Sequence, residues 1–433
     1  MAERLDHAPI GGAKAEEKTR PSGEAAEQFD TVVIGGGQAG LSTSYYLTEQ
    51  GREHVVLEKD RPGEAWRSQK WDSFTLVTPN RQNELPGFAY EGDDPHGFLT
   101  RDEVVQYIDD FIASFHPPLR LGVKALSVAG KATGHGFTVE TDAGVLEASN
   151  VVVATGTFQR PNIPAFSQRI SPAVVQIHSS RYRNPERLRP GPVLVVGSGQ
   201  SGCQITEELY QSGRKVYLCT SSAARAPRRY RGRDFTWWLD KMSFLEKTVD
   251  QLDSPAERFD PNPHVTGKDG GHTLNLHQFA LDGVTLLGRL EGANGAEVRI
   301  ADDLYESLAA ADKAATQMKK GIDKFIEKAG IDAPKEDKTE LSAGYDAEVI
   351  TGLDLESAGV NTVIWATGYA YDFKSLVKFP IWDEFGYPQQ KRGVTAQPGL
   401  YFVGLHWLHT IKSGLFYGIA DDAAHVAEHI EDR

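Results

Sequence analysis

The chain has 433 residues, 40% apolar and 24% charged, a composition typical of globular proteins and a length too great for one hydrophobic core. Its 60 acidic and 46 basic side chains give a net charge of −14, which argues against a nucleic acid or an anionic membrane as partner. No apolar run approaches the roughly 20 residues that span a bilayer. Residues 1–28 contain no signal-peptide core and no periodicity, so we expect a disordered tail on a cytoplasmic protein.

After this tail the chain reads as one βαβ unit. An apolar strand at residues 31–34 leads into the glycine-rich turn 35–40, a helix follows at 41–47, and a second strand at 54–57 ends on Glu58. Together these elements are a much stronger signal than a glycine motif alone. The pattern predicts a dinucleotide-binding unit.

The residues of this first turn have separate expected roles. Gly35 permits a tight bend, Gly37 lets a pyrophosphate approach the backbone, and Gly40 allows the helix to pack closely on the strand. Glu58 can accept hydrogen bonds from both hydroxyls of a ribose, which suits FAD. The first turn is therefore predicted to bind FAD.

The same pattern recurs much later in the chain. An apolar strand at 193–196 is followed by the glycine turn 197–202, a helix through 205–209 and a strand at 215–218. No carboxylate follows that strand. Instead come the hydroxyls of Thr220 and Ser221, followed by three arginines, Arg225, Arg228 and Arg229. Hydroxyls and guanidinium groups favour a ribose 2′-phosphate, so this turn is predicted to bind NADPH, unless the arginines form only a solvated basic loop.

Two further apolar strands, at 151–153 and 363–365, both run into Ala-Thr-Gly. We interpret each as the closing strand of one nucleotide unit, so that the unit is used twice. The predicted fold is α/β, with two Rossmann-like dinucleotide-binding domains. The FAD domain is expected at residues 29–165 and 345–433, and the NADPH domain is inserted between them at 166–344.

Residues 230–340 have an irregular pattern with one polar helical stretch at Leu304–Ala329, and we expect substrate or partner specificity to reside there. A last buried strand at 400–403 stops at Gly404. A closing helix is predicted from about 414 to 429, and its N-terminal dipole would stabilise negative charge on a reduced flavin. The alternative is an ordinary amphipathic helix.

No metal site is predicted, because the chain lacks a His-Glu-x-x-His motif and a mixed Cys/His cluster. His406 and His409 have a spacing that would suit a metal only on a helix, and their glycine-rich surroundings indicate a loop. Cys203 and Cys219 lie far apart and form no Cys-x-x-Cys pair.

The order of these motifs, together with His178 and Tyr182, resembles that of the class B flavoprotein monooxygenases. This family includes flavin-containing N- and S-monooxygenases, Baeyer–Villiger enzymes and YUCCA-type enzymes. The resemblance covers about residues 30–225 and 345–433 and is weak across 230–340. The family fingerprint Phe-x-Gly-x-x-x-His-x-x-x-Trp/Tyr is matched only in its second half, since Pro172 and Val174 replace Phe and Gly.

The resemblance implies that NADPH reduces FAD and that NADP⁺ stays bound while dioxygen forms a C4a-(hydro)peroxyflavin. One oxygen atom then passes to a small organic substrate, with no nucleic acid or membrane involved and a homodimer left open. Side chains that would tune the flavin or the substrate are Arg67, Asn80, His406 and Lys412, although Asn80 after a proline is more often a turn residue.

The residues expected to bind the two cofactors are those of the turns, the adjoining strand ends and the segments beside them: Gly35, Gly37, Gln38, Ala39, Gly40, Glu58, Lys59, Trp66, Arg67, Val123, Ala154, Thr155, Gly156, Gly197, Ser198, Gly199, Gln200, Ser201, Gly202, Thr220, Ser221, Arg225, Arg228, Thr367, Gly368, Gly404 and Leu405.

Two alternatives remain at this point. One is an NADPH-dependent flavin oxidoreductase without oxygen transfer, and the other is a non-catalytic flavin-bearing sensor. A disulfide reductase would need a pair of closely spaced cysteines near the flavin, and the chain has none.

Overall fold

The computed structural model describes residues 26–132, 134–336 and 340–433, so most of the predicted tail lies outside the described residues. The helices are α1 (Gln38–Glu49), α2 (Glu64–Ser68), α3 (Arg101–Phe115), α4 (Gln200–Gln211), α5 (Phe235–Lys241), α6 (Leu276–Leu281), α7 (Leu304–Ala329), α8 (Phe373–Leu376) and α9 (Phe416–Glu431). The strands are β1 (Glu27–Ile34), β2 (His54–Glu58), β3 (Glu84–Leu85), β4 (Phe88–Ala89), β5 (Leu119–Leu121), β6 (Ala125–Gly130), β7 (Phe137–Thr141), β8 (Gly144–Val153), β9 (Arg160–Pro161), β10 (Val175–His178), β11 (Val193–Val196), β12 (Val216–Cys219), β13 (Arg229–Tyr230), β14 (Arg233–Asp234), β15 (Thr285–Leu287), β16 (Leu290–Asn294), β17 (Glu297–Ile300), β18 (Gly352–Asp354), β19 (Thr362–Trp365), β20 (Tyr369–Ala370), β21 (Gln390–Lys391), β22 (Val394–Thr395) and β23 (Leu400–Phe402).

The first unit is built on a mixed sheet in the order β21-β22-β23-β8-β1-β2-β5, to which β6 and β7 add an antiparallel extension. Strand β1 runs parallel to both β2 and β8, and Ile34 is level with Leu57 on one side and Val153 on the other. The last four residues of β1 are all buried, as expected for a parallel strand with both faces covered. The predicted βαβ unit and its closing strand are confirmed, although β1 begins at Glu27 rather than at residue 31.

The second unit is built on a fully parallel sheet in the order β10-β19-β11-β12-β15. Strand β19 lies beside β11 as β8 lies beside β1, so the expected repetition of one nucleotide unit is confirmed. This pairing also corrects the predicted division at residue 345. Both β18 and β19 pack with the second unit, and the chain returns to the first unit only after Trp365.

The two connections between the units pair with each other. Strand β9 runs antiparallel to β20, with Tyr369 opposite Pro161 and Ala370 opposite Arg160. Next to this pair, the amide of Asn162 donates to the carbonyl of Gly368 at 2.9 Å, and Thr367 donates to the carbonyl of Asn162. We call β9 and β20 the interunit ladder, because the chain enters and leaves the second unit there.

Residues 230–340 are more ordered than their sequence pattern indicates. Helix α7 has the predicted bounds, but α5, α6 and β15–β17 were not predicted, and β15 completes the second sheet. Short, weakly periodic segments give little signal, and their order comes from tertiary packing. Trp238 is fully buried in a small core with Tyr230 and Ile322, and the indole of Trp238 donates to the carbonyl of Tyr230 at 2.8 Å.

The C-terminal helix α9 closes the first unit. Its residues Ile419 and Val426 lie in the same buried cluster as Leu41 of α1. Strand β23 ends at Phe402, and the chain then turns over α1 at Gly404. Within the described ranges, no helix is both long and apolar enough to cross a membrane.

Candidate active site

The first glycine turn has the geometry that its sequence predicts. Gly35 has φ +112°, and a Cβ there would lie 2.6 Å from the carbonyl oxygen of Ala154. A Cβ on Gly40 would lie 1.9 Å from the carbonyl oxygen of Gly35, whereas a Cβ on Gly37 would meet nothing within 4 Å. Two of these glycines are therefore required by packing, and Gly37 faces open space.

The second turn repeats this geometry. Gly197 has φ +104°, and a Cβ there would lie 2.7 Å from the carbonyl oxygen of Ala366. A Cβ on Gly202 would lie 1.7 Å from the carbonyl oxygen of Gly197, and one on Gly199 would meet nothing within 4 Å. Neither α1 nor α4 has a side-chain cap at its N-terminus. Uncapped amides that face open space fit a pyrophosphate in both turns.

Glu58 lies directly beneath the first turn. One carboxylate oxygen accepts from the amide of Gly36 at 2.7 Å and the other from the amide of Asp60 at 2.8 Å. The amide of Val123 donates to the Glu58 carbonyl at 3.1 Å, whereas Lys59 is exposed and lies 3.8 Å from Asp60. The carboxylate is thus held in place with lone pairs left for ribose hydroxyls, while its neighbour Lys59 points to the surface.

Thr220 stands where the first unit has its acid, because Val196 pairs with Cys219 as Ile34 pairs with Leu57, and two serines lie beside it. The amide of Ser221 donates to the Ser198 hydroxyl at 2.9 Å, and the two hydroxyl oxygens are 3.3 Å apart. Thr220 is buried, and its hydroxyl donates to the carbonyl of Leu287. The hydroxyls of Ser198 and Ser221 are therefore the polar groups of this position, and Thr220 fixes the adjoining strands.

The arginines predicted at the 2′-phosphate are committed elsewhere. Arg225 is 5% exposed and pairs with Asp312 at 2.7 Å. Arg228 is 1% exposed and pairs with Asp234 at 2.7 Å, and its guanidinium lies 4.3 Å from the centre of the Phe98 ring. Both charges are thus neutralised by ion pairs in the interior, and a role of Arg225 or Arg228 in phosphate binding stays a prediction.

The two remaining candidates near this position are also engaged with backbone. Arg229 is exposed, but its guanidinium donates to the carbonyls of Gly270 and Gly271. The side-chain amide of Gln200 accepts from the amide of Val265 at 3.1 Å and donates to its carbonyl. Gln200 therefore anchors residues 230–340, which we call the middle segment, to the start of α4. These hydrogen bonds explain the position of the Gln200 side chain without a cofactor.

Two of the predicted catalytic residues have structural partners. The Nε of Arg67 donates to the carbonyl of Pro62 at 3.0 Å, and its guanidinium pairs with Asp109 of α3. The amide group of Asn80 donates to the carbonyl of Asp94 at 2.9 Å and accepts from the amide of Leu99 at 2.8 Å. Arg67 and Asn80 thus have structural roles, the turn alternative for Asn80 is favoured, and a catalytic role for either residue stays a prediction.

Lys412 is likewise an ion-pair partner. Its amine lies 2.8 Å from Glu246 and 3.3 Å from Asp421. Burial lowers the pKa of Lys412, but the hydrogen bond to Glu246 and the charge of Asp421 outweigh it and leave the pKa above its ordinary value. Lys412 stays charged and ties the middle segment to α9, and its expected role beside the flavin stays a prediction.

The loop before α9 closes over the first turn. The side chain of Gln38 donates to the carbonyl of Gly414 at 2.9 Å. Gly404 has φ +79°, and a Cβ there would lie 2.5 Å from the Cβ of Ala39. Leu405 is fully buried, so only its backbone can face a ligand. The structure therefore brings Gln38, Ala39, Gly404 and Leu405 together beside the first turn, and their binding of FAD stays a prediction.

The strand ends of the two units meet at a group of aromatic side chains. The Phe158 ring lies 6.0 Å from the His406 ring and 4.9 Å from the Tyr369 ring, and Tyr369 lies 4.9 Å from His178. Each of these residues stands at or just beyond the carboxyl end of a parallel strand, where α/β proteins bind ligands. We call these four residues the crevice.

Two features of the crevice bear on chemistry. Burial lowers the pKa of His406, which keeps its imidazole neutral, and the Phe158 ring is 47% exposed. His178 lies 3.0 Å from the carbonyl of Gly368 and fixes the second connection. The sequence analysis missed Phe158 and Tyr369 as site residues, although Tyr369 directly follows Gly368 and Phe158 lies two residues after Gly156.

The other predicted cofactor residues lie at the edges of this arrangement. The Trp66 ring stacks on Phe416 at 5.6 Å, and the hydroxyl of Thr155 accepts from Gln159 at 2.9 Å. The hydroxyl of Thr367 is used by the interunit ladder. The remaining four predicted residues lie at the turns or strand ends, and their side chains form no hydrogen bond or ion pair with the described residues: Ala154, Gly156, Ser201 and Gly368.

The two cysteines are buried as separate thiols in the second unit. Burial raises the pKa of both, that of Cys219 to about 12, and the Cys203 thiol donates to the carbonyl of Ser198 at 3.1 Å. Protonated, buried thiols are poor nucleophiles. Among the described residues, no group of His, Cys, Asp and Glu side chains is placed to hold a metal ion.

The fold and the two turns define a dinucleotide-dependent oxidoreductase, and comparison with known proteins agrees. A family model described as pyridine nucleotide-disulphide oxidoreductase matches residues 32–243. An uncharacterized CzcO-like oxidoreductase from Geobacillus kaustophilus is 33% identical over 93% of this chain and 98% of the relative. The indole-3-pyruvate monooxygenase YUCCA1 from Oryza sativa subsp. japonica is 31% identical over 45% of this chain and 49% of that protein.

A flavin-containing monooxygenase from Stenotrophomonas maltophilia has the same fold, with a TM-score of 0.64 and 18% identity over 94% of this chain and 99% of that one. The chain belongs to the family of the CzcO-like oxidoreductases. Other proteins of this fold are solved with FAD and NADP bound, the two cofactors that the sequence predicts. The predicted α/β fold class is confirmed.

Proposed function

We propose that the enzyme transfers one oxygen atom of dioxygen to a small organic substrate, while the other leaves as water. The observation that carries this proposal is the crevice, where the strand ends of two nucleotide units with open turns meet beside a half-exposed aromatic ring. Such a place can bring a nicotinamide, a flavin and a substrate together. Bound FAD supplies the redox chemistry, since it accepts electrons from NADPH and activates dioxygen.

The residues of the chain bind and orient the two cofactors. The first amides of α1 hold the FAD pyrophosphate, and the fixed carboxylate of Glu58 accepts hydrogen bonds from its ribose. The first amides of α4 hold the NADPH pyrophosphate. The hydroxyls of Ser198 and Ser221 lie at the position that faces the adenosine ribose. FAD is thus assigned to the first unit and NADPH to the second.

The middle segment and the loop before α9 exclude water from the reacting atoms. They are joined by the amide of Val249, which donates to the carbonyl of His409 at 2.8 Å, and by a bridge between Thr248 and Thr410. The guanidinium of Arg228 donates to the carbonyl of Val77 at 2.7 Å and fixes the same segment on the first unit. Water exclusion matters here because activated oxygen otherwise escapes as peroxide.

His406 is the predicted catalytic residue that stays at the crevice. Its ring lies beside Phe158, and a Cβ on Gly414 would lie 3.0 Å from its Cδ2 atom. As a neutral imidazole it can hold one proton at a ring nitrogen and offer the other nitrogen as an acceptor. We assign it a role in orienting the substrate or passing a proton to the departing water.

The competing function is NADPH oxidation without oxygen transfer. The family description includes disulphide oxidoreductases, but the two buried single thiols argue against that chemistry in this chain. The test is to mix NADPH-reduced enzyme with dioxygen and follow absorbance and peroxide. A near-ultraviolet transient that lasts longer with NADP⁺ is expected. Immediate stoichiometric peroxide without such a transient would refute oxygen transfer and establish the oxidase-like alternative.

A further inference from the structure

Lys70, in the loop after α2, holds a positive charge among aromatic rings. Its amine lies 5.3 Å from the centre of the Trp66 ring and 5.2 Å from those of Phe74 and Phe158. In the part of the chain that the structure describes, no carboxylate lies within 4.0 Å of this amine. Lys412, by contrast, has two such partners.

The surroundings of Lys70 do not compensate its charge. Ring faces attract an ammonium group but replace only part of its hydration, and burial lowers the pKa of Lys70 to about 8. The guanidinium of Arg183 donates to the backbone carbonyls of Lys70 and Ser180 and brings no negative charge to the amine. Asp72 is the acid of this loop, and it pairs with Arg101. The amine is therefore a cation without an anion.

The position of the amine connects it to the crevice. Phe158, which is 47% exposed, presents one side to Lys70 and also contacts His406 and Tyr369. A ligand that enters the crevice beside Phe158 would meet an apolar ring and, next to it, an unpaired ammonium group. A group with a single negative charge suits this arrangement better than a phosphate, which needs several donors.

We propose that the substrate of this site is an organic carboxylic acid, whose carboxylate pairs with Lys70 while its apolar part lies against Phe158. This inference rests on the proposed function, because it identifies the substrate class for the same crevice. The pair would fix which end of the substrate points toward the flavin. Lys70 acts as a specificity-determining residue and takes no part in the transfer itself.

The test measures binding to the FAD-loaded enzyme without NADPH, so it does not depend on oxygen transfer. The probes are benzoate, phenylacetate and hexanoate, each compared with its neutral amide, and the readouts are calorimetry and the flavin absorption spectrum. The parent enzyme should bind at least one acid about 10-fold or more tighter than the matching amide. Lys70→Met should remove that preference, a loss of about 10- to 100-fold in acid affinity, with amide affinity unchanged.

Lys215 provides the matched control. Its amine also lies over a ring, 4.9 Å from the centre of Tyr217, but Lys215 is exposed. It directly precedes β12, at the amino end of the strands, whereas the crevice lies at their carboxyl ends. Lys215→Met should bind the acids as the parent does, and Lys70→Arg should retain the preference.

Three results would overturn the proposal. The first is a parent enzyme with equal affinity for acid and amide, and the second is an unchanged preference in Lys70→Met. The third is a Lys70→Met variant that loses FAD or shifts the flavin midpoint potential while acid and amide affinities fall equally, since Lys70 would then serve the flavin. Failure of oxygen transfer with an intact acid preference would refute the proposed function and leave the binding inference standing.

Discussion

The open glycines of the two turns allow each cofactor site to be blocked separately without disturbing the fold. A Cβ on Gly37 or Gly199 would meet nothing within 4 Å, and both have negative φ, so alanine is accommodated in the protein itself. Replacing glycine lowers the entropy of the unfolded chain by about 0.4–1 kcal/mol, which roughly offsets the weaker N-cap of alanine. The free energy of unfolding of the apoprotein should therefore change by less than about 1 kcal/mol.

Cofactor binding should respond differently. The added methyl group occupies the space that the pyrophosphate needs, and each lost charge-assisted hydrogen bond costs about 1.5–3 kcal/mol. Gly37→Ala should weaken FAD binding at least about 10- to 100-fold. Gly199→Ala should keep FAD and weaken NADPH binding by a similar factor. The assays are the flavin content of the purified protein, calorimetric titration of apoprotein with FAD, and titration of the FAD-loaded protein with NADPH.

Gly40→Ala and Gly202→Ala serve as contrasts, because their Cβ atoms would lie 1.9 and 1.7 Å from carbonyl oxygens. These variants should lose stability even without cofactor, as measured by denaturant unfolding of apoproteins, in which bound FAD cannot mask the effect. The reasoning fails if Gly37→Ala retains stoichiometric FAD. It also fails if the apoprotein of Gly37→Ala is destabilised as much as that of Gly40→Ala.

Further predictions concern the ion pairs, the ribose site, a buried acid and the thiols. Arg228→Ala leaves the half-buried carboxylate of Asp234 without its ion-pair partner, so it should lower the free energy of unfolding by about 3 kcal/mol, with the preference for NADPH over NADH unchanged. A lost preference in a stably folded variant would show that Arg228 serves the phosphate. Ser221→Ala should raise KM for NADPH more than for NADH, and equal changes in the two KM values would speak against this assignment. Burial raises the pKa of Asp422 from 3.8 to about 6, so the stability that this group contributes is fully present below pH 3.8 and is lost as the pH rises through 6. The free energy of unfolding of Asp422→Asn, relative to the parent, should therefore be about 3 kcal/mol more favourable at pH 8 than at pH 3. Chemical unfolding at the two pH values would show no such difference if the pKa of this carboxyl were the same in the folded and unfolded chains. The double substitution of Cys203 and Cys219 by serine should keep NADPH oxidation, whose loss in a folded variant would indicate thiol chemistry.

The parts of the molecule that could be predicted are those in which a backbone requirement dictates the residue. Gly35 and Gly40 are needed because their Cβ positions are occupied by carbonyl groups, and that constraint is visible as a spaced motif. The strand ends at Ala154 and Ala366 could be predicted for the same reason, because the Ala154 carbonyl lies beside Gly35 and the Ala366 carbonyl has the same place beside Gly197. Helix α7 could be predicted because its helical pattern continues over 26 residues and can be recognised without tertiary information.

The parts that could not be predicted depend on partners that sequence does not place. Arg225 looks like a phosphate ligand until Asp312, 87 residues further on, is seen beside it. Asn80 looks like a free amide until Asp94 and Leu99 occupy it. Lys70 gives the opposite case, because its charge became informative only when the structure showed that no acid approaches it.

The interunit ladder gives the second unit the form of a cassette. Its entry at Arg160–Pro161 and its exit at Tyr369–Ala370 lie side by side, so the two cut ends of the first unit could be rejoined by a short linker without stretching either sheet. The same geometry allows the insertion to be exchanged between relatives as one piece, provided that it carries β19 and ends beyond Trp365. A transplant that stops at residue 344 would leave behind β19, the strand that connects β10 to β11 in its own sheet.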